Sequence, residues 1–406
     1  MSSLILFEDA RWVDLLPMVY WRSVFELIAG RKTLLDNAAV SLGRSVDGVW
    51  MREWIADVGG ERCQIPANQP VSAGDVLVNG RWLINESVEF HEAPFIGVCG
   101  DDIVYISCDE NLAKTVSPAM LCDEKGCAEL KQQAPTGEVE AALLRYPWDI
   151  TSRNRETLCD HWKGDDRSNN GDVSSSAFMI NPDQIHIGEK SVVKPTAVID
   201  ADGGPVFISN NVIIDVHTYI EGPVYIGPGS HVKPHTAIRS GTTLGAMCKV
   251  AGEISASIFC GYGNKGHHGF IGDAYIGSWV NLGAGTTNSN LKNTYGDVKV
   301  QLGPRQVSSG LQFLGSTVGD FARLGIGQLL PTGAVVGMGA MIATGGLAPK
   351  FVPSFAWQTA DGRAEADLEK TLHTAKVMMS RRNADMSEPE ETLFRSNVQR
   401  SKEFGV

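Results

Sequence analysis

Reading every sixth residue from Ile208 gives Ile208, Ile214, Ile220, Ile226, Val232, Ile238, Leu244 and Val250, all aliphatic. A second series with the same step runs Val318, Leu324, Leu330, Val336 and Ile342. Ile187, Val193 and Ile199 form an earlier short series, and Ile276 and Leu282 an isolated pair. Glycine follows several anchors, as in Ile226-Gly227, Leu244-Gly245 and Leu324-Gly325. A period of six fits neither an amphipathic helix nor an alternating strand. It predicts a solenoid of short strands whose aliphatic residues point inward and stack on their equivalents one coil away. Glycine and small residues would relieve crowding at the corners. Three six-residue units make one triangular coil.

The series breaks between Val250 and Ile276 and again between Leu282 and Val318. In a strict solenoid such breaks predict loops or insertions, which often carry the binding face. Upstream, His161–Ser176 is polar and aperiodic and reads as a linker. Before it, Leu4–Phe7 and Val76–Val78 resemble short buried strands and Arg22–Leu35 a helix, an α/β pattern. After Pro353 the six-residue step ends, and Asp367–Arg381 has helical spacing, with a solenoid face or solvent as its alternative surroundings. The expected organisation is an α/β domain over residues 1–160, a linker over 161–178, a parallel β-helix over 179–355 and a helical tail over 356–406.

Length and charge narrow the function. The 406 residues suit two domains, and a net charge of −12 argues against a nucleic-acid partner. No stretch reaches the roughly 18 apolar residues of a membrane span. The N-terminus, with Glu8 and no basic region, does not read as a signal peptide, so a cytoplasmic protein is expected. The eight cysteines are scattered; Cys122 and Cys127 lack a common zinc or redox spacing, and reduced thiols are expected.

The densest polar cluster runs from Gly261 to Asn293, GYGNKGHHGFIGDAYIGSWVNLGAGTTNSNLKN. A neutral imidazole can take a proton from an attacking amine, and fixed amides can hold a sugar and an oxyanion. His267, Asn281 and Asn290 could supply that set if consecutive coils stack them on one edge. The alternative is surface polarity, with the asparagines serving corner backbone. Metal binding by His267 and His268 is disfavoured, because adjacent side chains in an extended segment diverge and no ligand-spaced partner lies nearby.

The same stretch resembles the acetyltransferase half of the bifunctional UDP-N-acetylglucosamine pyrophosphorylase / glucosamine-1-phosphate N-acetyltransferase family. The resemblance rests on Gly266-His267, on Ile271-Gly272-Asp273-Ala274-Tyr275-Ile276-Gly277 and on Val280-Asn281-Leu282-Gly283-Ala284-Gly285-Thr286. It implies a left-handed coil and a homotrimer with acetyl-CoA, the acyl donor, in a slot between subunits. His267 would be the catalytic base. Asn281, Asn290, Glu253 and Arg239 would contact an amino sugar phosphate, and Ala284, Ile326 and Thr344 would line the coenzyme slot. A site lysine of the family falls at Ser255 and a tyrosine at Phe270, so the phosphate contact would pass to Lys249 or Lys265.

The N-terminal region resembles a divergent, sugar-nucleotidyltransferase-like branch of that family through Leu6-Phe7-Glu8-Asp9, Leu15-Leu16-Pro17, Arg22, Gly30-Arg31, Asn79-Gly80-Arg81 and Tyr146-Pro147-Trp148-Asp149. The phosphate-cradling Gly-rich loop is absent, and Glu8-Asp9 in its place would repel a triphosphate. The family's metal-holding aspartate after Asn-Gly is Arg81 here. Nucleotidyl transfer with Mg²⁺ and a nucleoside triphosphate would then fall to Arg22, Arg31, Arg81 or Asp149. The expected activity is acetyl transfer to a glucosamine-1-phosphate-like acceptor, within UDP-N-acetylglucosamine biosynthesis, with uridylyl or thymidylyl transfer as a second activity. The rival readings are a non-catalytic sugar-nucleotide-binding scaffold and an acyltransferase for longer chains.

Overall fold

A computed structural model describes residues 2–162 and 167–406 and divides them into two compact units, each described by itself here. Residues 163–166 of the expected linker lie outside the described residues.

The N-terminal unit holds a six-stranded mixed sheet in the order Gly48–Trp50, Leu4–Phe7, Val76–Asn79, Asp102–Ser107, Phe95–Cys99 and Thr136–Glu138. The first three strands are parallel, and Asp102–Ser107 runs antiparallel to both its neighbours. All four residues of Leu4–Phe7 are buried, as a continuous apolar run in an interior strand requires. The helix expected over Arg22–Leu35 is not formed. Gly30 takes a positive φ of 62° in a turn between the short strands Ile28–Ala29 and Lys32–Thr33. A helix begins only at Leu34, where the Thr33 hydroxyl caps the Asp36 N–H.

The second unit is a parallel β-helix built on the six-residue repeat, with strands stacked on three faces. The first face runs from Ile185–Ile187 to Phe351–Val352 and the second from Asp172–Val173 to Ala356–Thr359. The third runs from Phe178–Ile180 to Phe270–Gly272 and continues in the pair Thr287–Asn288 and Leu329–Leu330. Every anchor of the six-residue series is buried and belongs to one core. Burying each such side chain contributes on the order of 1.5–3 kcal/mol, so the stacked ladder dominates the stability of this unit.

The two breaks in the series have different origins. Between Leu282 and Val318 an excursion carries the antiparallel hairpin Lys299–Leu302/Arg305–Ser308, an insertion as expected. Between Val250 and Ile276 there is no inserted loop. The coils continue with Ile254, Phe259, Lys265 and Ile271 in the inward positions, all buried. Shortened corners and a lysine at one ladder position hide these coils from a six-residue aliphatic count.

The helix Pro147–Asp160 packs on the first face of the β-helix, where Asn154 Nδ2 donates to Gly241 O at 2.8 Å and Thr243 Oγ1 at 3.0 Å. The boundary between compact units therefore falls after Tyr146 rather than at residue 160. Part of the expected linker is ordered coil as well, since Asp172–Val173 pairs with Val192–Val193.

The tail starts as a hairpin, Ala356–Thr359/Gly362–Glu365, whose first strand extends the second face. The helix Leu368–Ser380 follows and buries Leu372, Ala375 and Met379. In the last helix, Glu388–Phe404, residues from Phe394 onward belong to the β-helix unit and residues 387–393 to the N-terminal one. Phe394 is fully buried, edge-on to Phe321 and Phe355 with ring centroids 5.4 Å from each. Those two rings belong to a corner where Tyr262, Trp279, Phe321 and Phe355 all take a positive φ.

Candidate active site

The residues 266–269 form the corner that joins the second-face strand Asn264–Lys265 to the third-face strand Phe270–Gly272. On the second face Asn264 pairs with Asn281, Asn281 with Arg323 and Arg323 with Met341. Counting three residues on from each places His267, Ala284, Ile326 and Thr344 at equivalent positions on four successive coils of one corner. His267 is exposed, and so is Ile326, at 75%. Gly327 N–H donates to Ala284 O at 2.7 Å, and the Thr344 hydroxyl donates to Gln328 Oε1 at 2.6 Å. The expected base and the three expected coenzyme-lining residues thus share one solvent-facing edge.

Lys265 is not a substrate contact. It occupies an inward ladder position between Val250 and Leu282, and none of its surface reaches solvent. Its ammonium donates to Ala251 O and to His267 O, both at 2.9 Å. Burial lowers its pKa to about 8. The side chain points into the coil because the strand alternation leaves it no other direction. The two carbonyls at the corner supply the acceptors that make its burial tolerable.

On the third face Arg239 lies between Glu221 and Glu253, with Nη1 3.3 Å from Glu221 Oε2 and Nε 3.4 Å from Glu253 Oε1. These residues line a cleft of about 540 Å³ with Ser255 and Asp273. Asp273 accepts from Asn290 Nδ2 at 2.6 Å. Burial raises the Asp273 pKa, and the Asn290 hydrogen bond opposes that rise. Arg239, Glu253 and Asn290 are therefore brought to one cleft, the last through Asp273. The Arg239 charge is already matched by two carboxylates.

Asn281 lies elsewhere. It is on the second face, where Asn264 Nδ2 donates to its Oδ1 at 2.7 Å. The cleft there, about 340 Å³, is also lined by Lys249, Arg323, Arg381 and Arg382. Within this chain His267 stands at the corner, Asn281 on the face before it and Asn290 beyond the face after it, so the three do not stack on one edge. Sequence reading missed Arg323, Arg381 and Arg382. The one available signal was the Arg381-Arg382 pair at the end of the predicted tail helix.

The nucleotide candidates are divided between the two units. Arg81 is fully buried: its Nε donates to Asp9 Oδ1 at 2.8 Å, its Nη2 to Asp102 Oδ2 at 3.0 Å and its Nη1 to Leu144 O at 2.9 Å. Burial pulls its pKa down, but Asp9 and Asp102 outweigh that and raise it further. Glu8 is likewise buried and paired with Arg52, 2.8 Å from its Nε. Glu8 and Asp9 are thus neutralised internally rather than facing a triphosphate, which corrects the expected repulsion. Arg22 is buried in the N-terminal unit. Arg31 belongs to the β-helix unit, where it donates to His161 O at 2.9 Å and lies 4.6 Å over the Phe207 ring. Asp149 sits in the first turn of Pro147–Asp160, also in that unit.

These residues do not fit Mg²⁺. Asp9, at the carboxyl end of Leu4–Phe7, gives its oxygens to Arg81 and Asn79, and residue 81 is itself cationic. Among the described residues no group of three or more His, Cys, Asp or Glu is placed to hold a metal ion. Nor is any described helix long and apolar enough to cross a membrane.

Residues 4–164 match the family model for sugar nucleotidyl transferases. The chain is similar to bifunctional nucleotidyl- and acetyltransferases over part of its length. It is 28% identical over 261 residues to the bifunctional protein GlmU of Jannaschia sp. strain CCS1, covering 62% of this chain and 48% of that protein. It is 35% identical over 157 residues to a bifunctional sugar-1-phosphate nucleotidylyltransferase/acetyltransferase of Sulfurisphaera tokodaii, covering 36% of this chain and 38% of that protein. The chain thus spans less than half the length of these two relatives. Among solved structures, UDP-N-acetylglucosamine acyltransferase of Francisella novicida aligns at 19% identity and a TM-score of 0.31, covering 55% of this chain and 73% of that one. PerB from Caulobacter crescentus, in complex with CoA and GDP-perosamine, aligns at 11% identity and a TM-score of 0.19, covering 82% of this chain and 93% of that one.

Proposed function

We propose that the β-helix unit is an acetyl-CoA-dependent N-acetyltransferase acting on an amino sugar phosphate of the glucosamine-1-phosphate type. The single observation that carries this reading is the corner column: an exposed imidazole, His267, in register with Ala284, Ile326 and Thr344. An extended acyl-thioester arm laid along that edge would bring its carbonyl to the imidazole end. The acceptor amine attacks the thioester carbon while the His267 imidazole takes the amine proton. The C–S bond then breaks, the thiolate leaves with a proton returned by the imidazolium, and the amide product forms. Glu253, Arg239 and Asn290 in the third-face cleft and Asn281 on the second face are the proposed acceptor contacts. A homotrimer with the coenzyme between subunits, in the cytoplasm, completes the proposal.

Sugar-1-phosphate nucleotidyl transfer, uridylyl or thymidylyl, is the second reading, favoured by the family match over residues 4–164. No step through Mg²⁺ follows from this chain, since the carboxylates that would hold it serve Arg81.

The test gives the purified protein acetyl-CoA, glucosamine-1-phosphate and either UTP or dTTP, and follows thiol and pyrophosphate release separately. Thiol release that depends on the amino sugar supports the acetyltransferase. Absence of thiol release together with no protection by coenzyme A against thermal unfolding would leave the scaffold reading standing. A panel of acyl chain lengths separates acetyl transfer from transfer of longer chains.

A further inference from the structure

The second face carries a concentration of positive charge beside Asn281. Lys249, Arg323, Arg381 and Arg382 line one cleft with the amides of Asn264 and Asn281, and no carboxylate lines it. None of the four cations has an ion pair among the described residues. Arg382 Nη1 is fixed on Met247 O at 2.9 Å. Arg323 is more anomalous. Its terminal nitrogens reach only sulfur, Met378 Sδ at 3.9 Å and Met341 Sδ at 3.2 Å, and its buried Nε has no hydrogen-bond partner.

Collecting such groups is unfavourable in itself. A half-buried guanidinium whose buried Nε has no acceptor bears a desolvation cost, and like charges repel. Repulsion from Arg382 and, after it, burial lower the Lys249 pKa. In a chain whose net charge is −12, this is a local reversal of sign. The Asn264–Asn281 hydrogen bond uses the Asn281 carbonyl and leaves its amide NH₂ to donate into the same space. About 340 Å³ is at the small end of ligand pockets, which run from roughly 300 Å³ upward.

We propose that this cleft binds the phosphate or diphosphate group of a small phosphorylated ligand, held by Arg323, Arg381, Arg382 and Lys249 with the Asn281 amide. The anion supplies the acceptors that Arg323 lacks and offsets the mutual repulsion of the four cations. Tyr262 and Trp279, stacked at 4.0 Å, form the wall beside it. The Arg381-Arg382 pair gives the tail helix Leu368–Ser380 a role, since its end completes the cleft. The cleft shares Asn281 with the acceptor contacts of the proposed function, but anion binding needs nothing from His267 and can be read apart from acyl transfer.

Calorimetric titration of the full chain with pyrophosphate tests this, with separate arms for glucosamine-1-phosphate, a UDP-sugar and coenzyme A to identify the source of the phosphate. Pyrophosphate is expected to bind, and to bind more weakly as salt rises. The Arg381→Gln/Arg382→Gln double variant, at the exposed end of a helix, and Arg323→Met are each expected to weaken binding about tenfold or more. His267→Ala is expected to leave it unchanged, so loss of acyl transfer and loss of anion binding separate. No binding up to about 10 mM pyrophosphate, or equal affinity in wild type and both variants, would overturn the proposal.

Discussion

Lys265 donates its ammonium proton to the main-chain carbonyl of His267 from inside the coil, at 2.9 Å. A charge in the hydrophobic ladder thus fixes the corner that presents the proposed base.

That relationship sets a pH dependence. The folded-state pKa of Lys265 is lowered to about 8 from an ordinary 10.5, so the native state disfavours the proton. Below pH 8 both folded and unfolded chains carry it and the cost is fully present. Between about pH 8 and 10.5 the unfolded chain binds more protons than the native one, so stability gained from this group rises with pH. Relative to Lys265→Met, the wild type is expected to gain up to about 3 kcal/mol across that window in denaturant titrations. A difference between the two proteins that stays flat with pH would show that the amine is not buried as a cation.

Arg81 serves structure. Its guanidinium holds Asp9 and Asp102 in the core of the N-terminal unit. Arg81→Met strands two carboxylates and is expected to cost about 3–5 kcal/mol by chemical denaturation. Adding Asp9→Leu should recover part of that loss. Wild-type stability in the single variant would contradict the assignment.

Ile326 is exposed in line with His267 and Ala284. Ile326→Asp should leave the fold intact by circular dichroism while raising KM for acetyl-CoA about tenfold and changing KM for the amino sugar little. An unaltered KM for acetyl-CoA would remove this edge from coenzyme binding.

Phe394 seals the tail against the corner aromatics Phe321 and Phe355. Phe394→Ala is expected to cost about 3–5 kcal/mol and to expose the tail to limited proteolysis before the coils are cut.

The solenoid was readable because its interior repeats one chemical requirement, an aliphatic side chain at each inward step, and Ile208 to Val250 satisfy it without exception. The reading lapsed at Lys265, where the pattern assumes a hydrophobic residue and the corner carbonyls of Ala251 and His267 admit a cation instead. Lys265 as a stand-in for the lysine that Ser255 replaces fails for the same reason, since its place in the sequence gives no sign that it points into the coil. Glu8, Asp9 and Arg81 were legible as charges, but their partners Arg52 and Asp102 are distant in sequence. Arg323 and Arg382 come together only when the tail folds back, which no local spacing encodes.

The most direct measurement is the rate of thiol release from acetyl-CoA in the presence of glucosamine-1-phosphate by wild type and by His267→Ala, with the assembly state of both checked by light scattering. A loss of about two to four orders of magnitude in kcat, with assembly unchanged, is predicted for removal of a general base. Undiminished turnover in His267→Ala would contradict the assignment of acyl transfer to this corner.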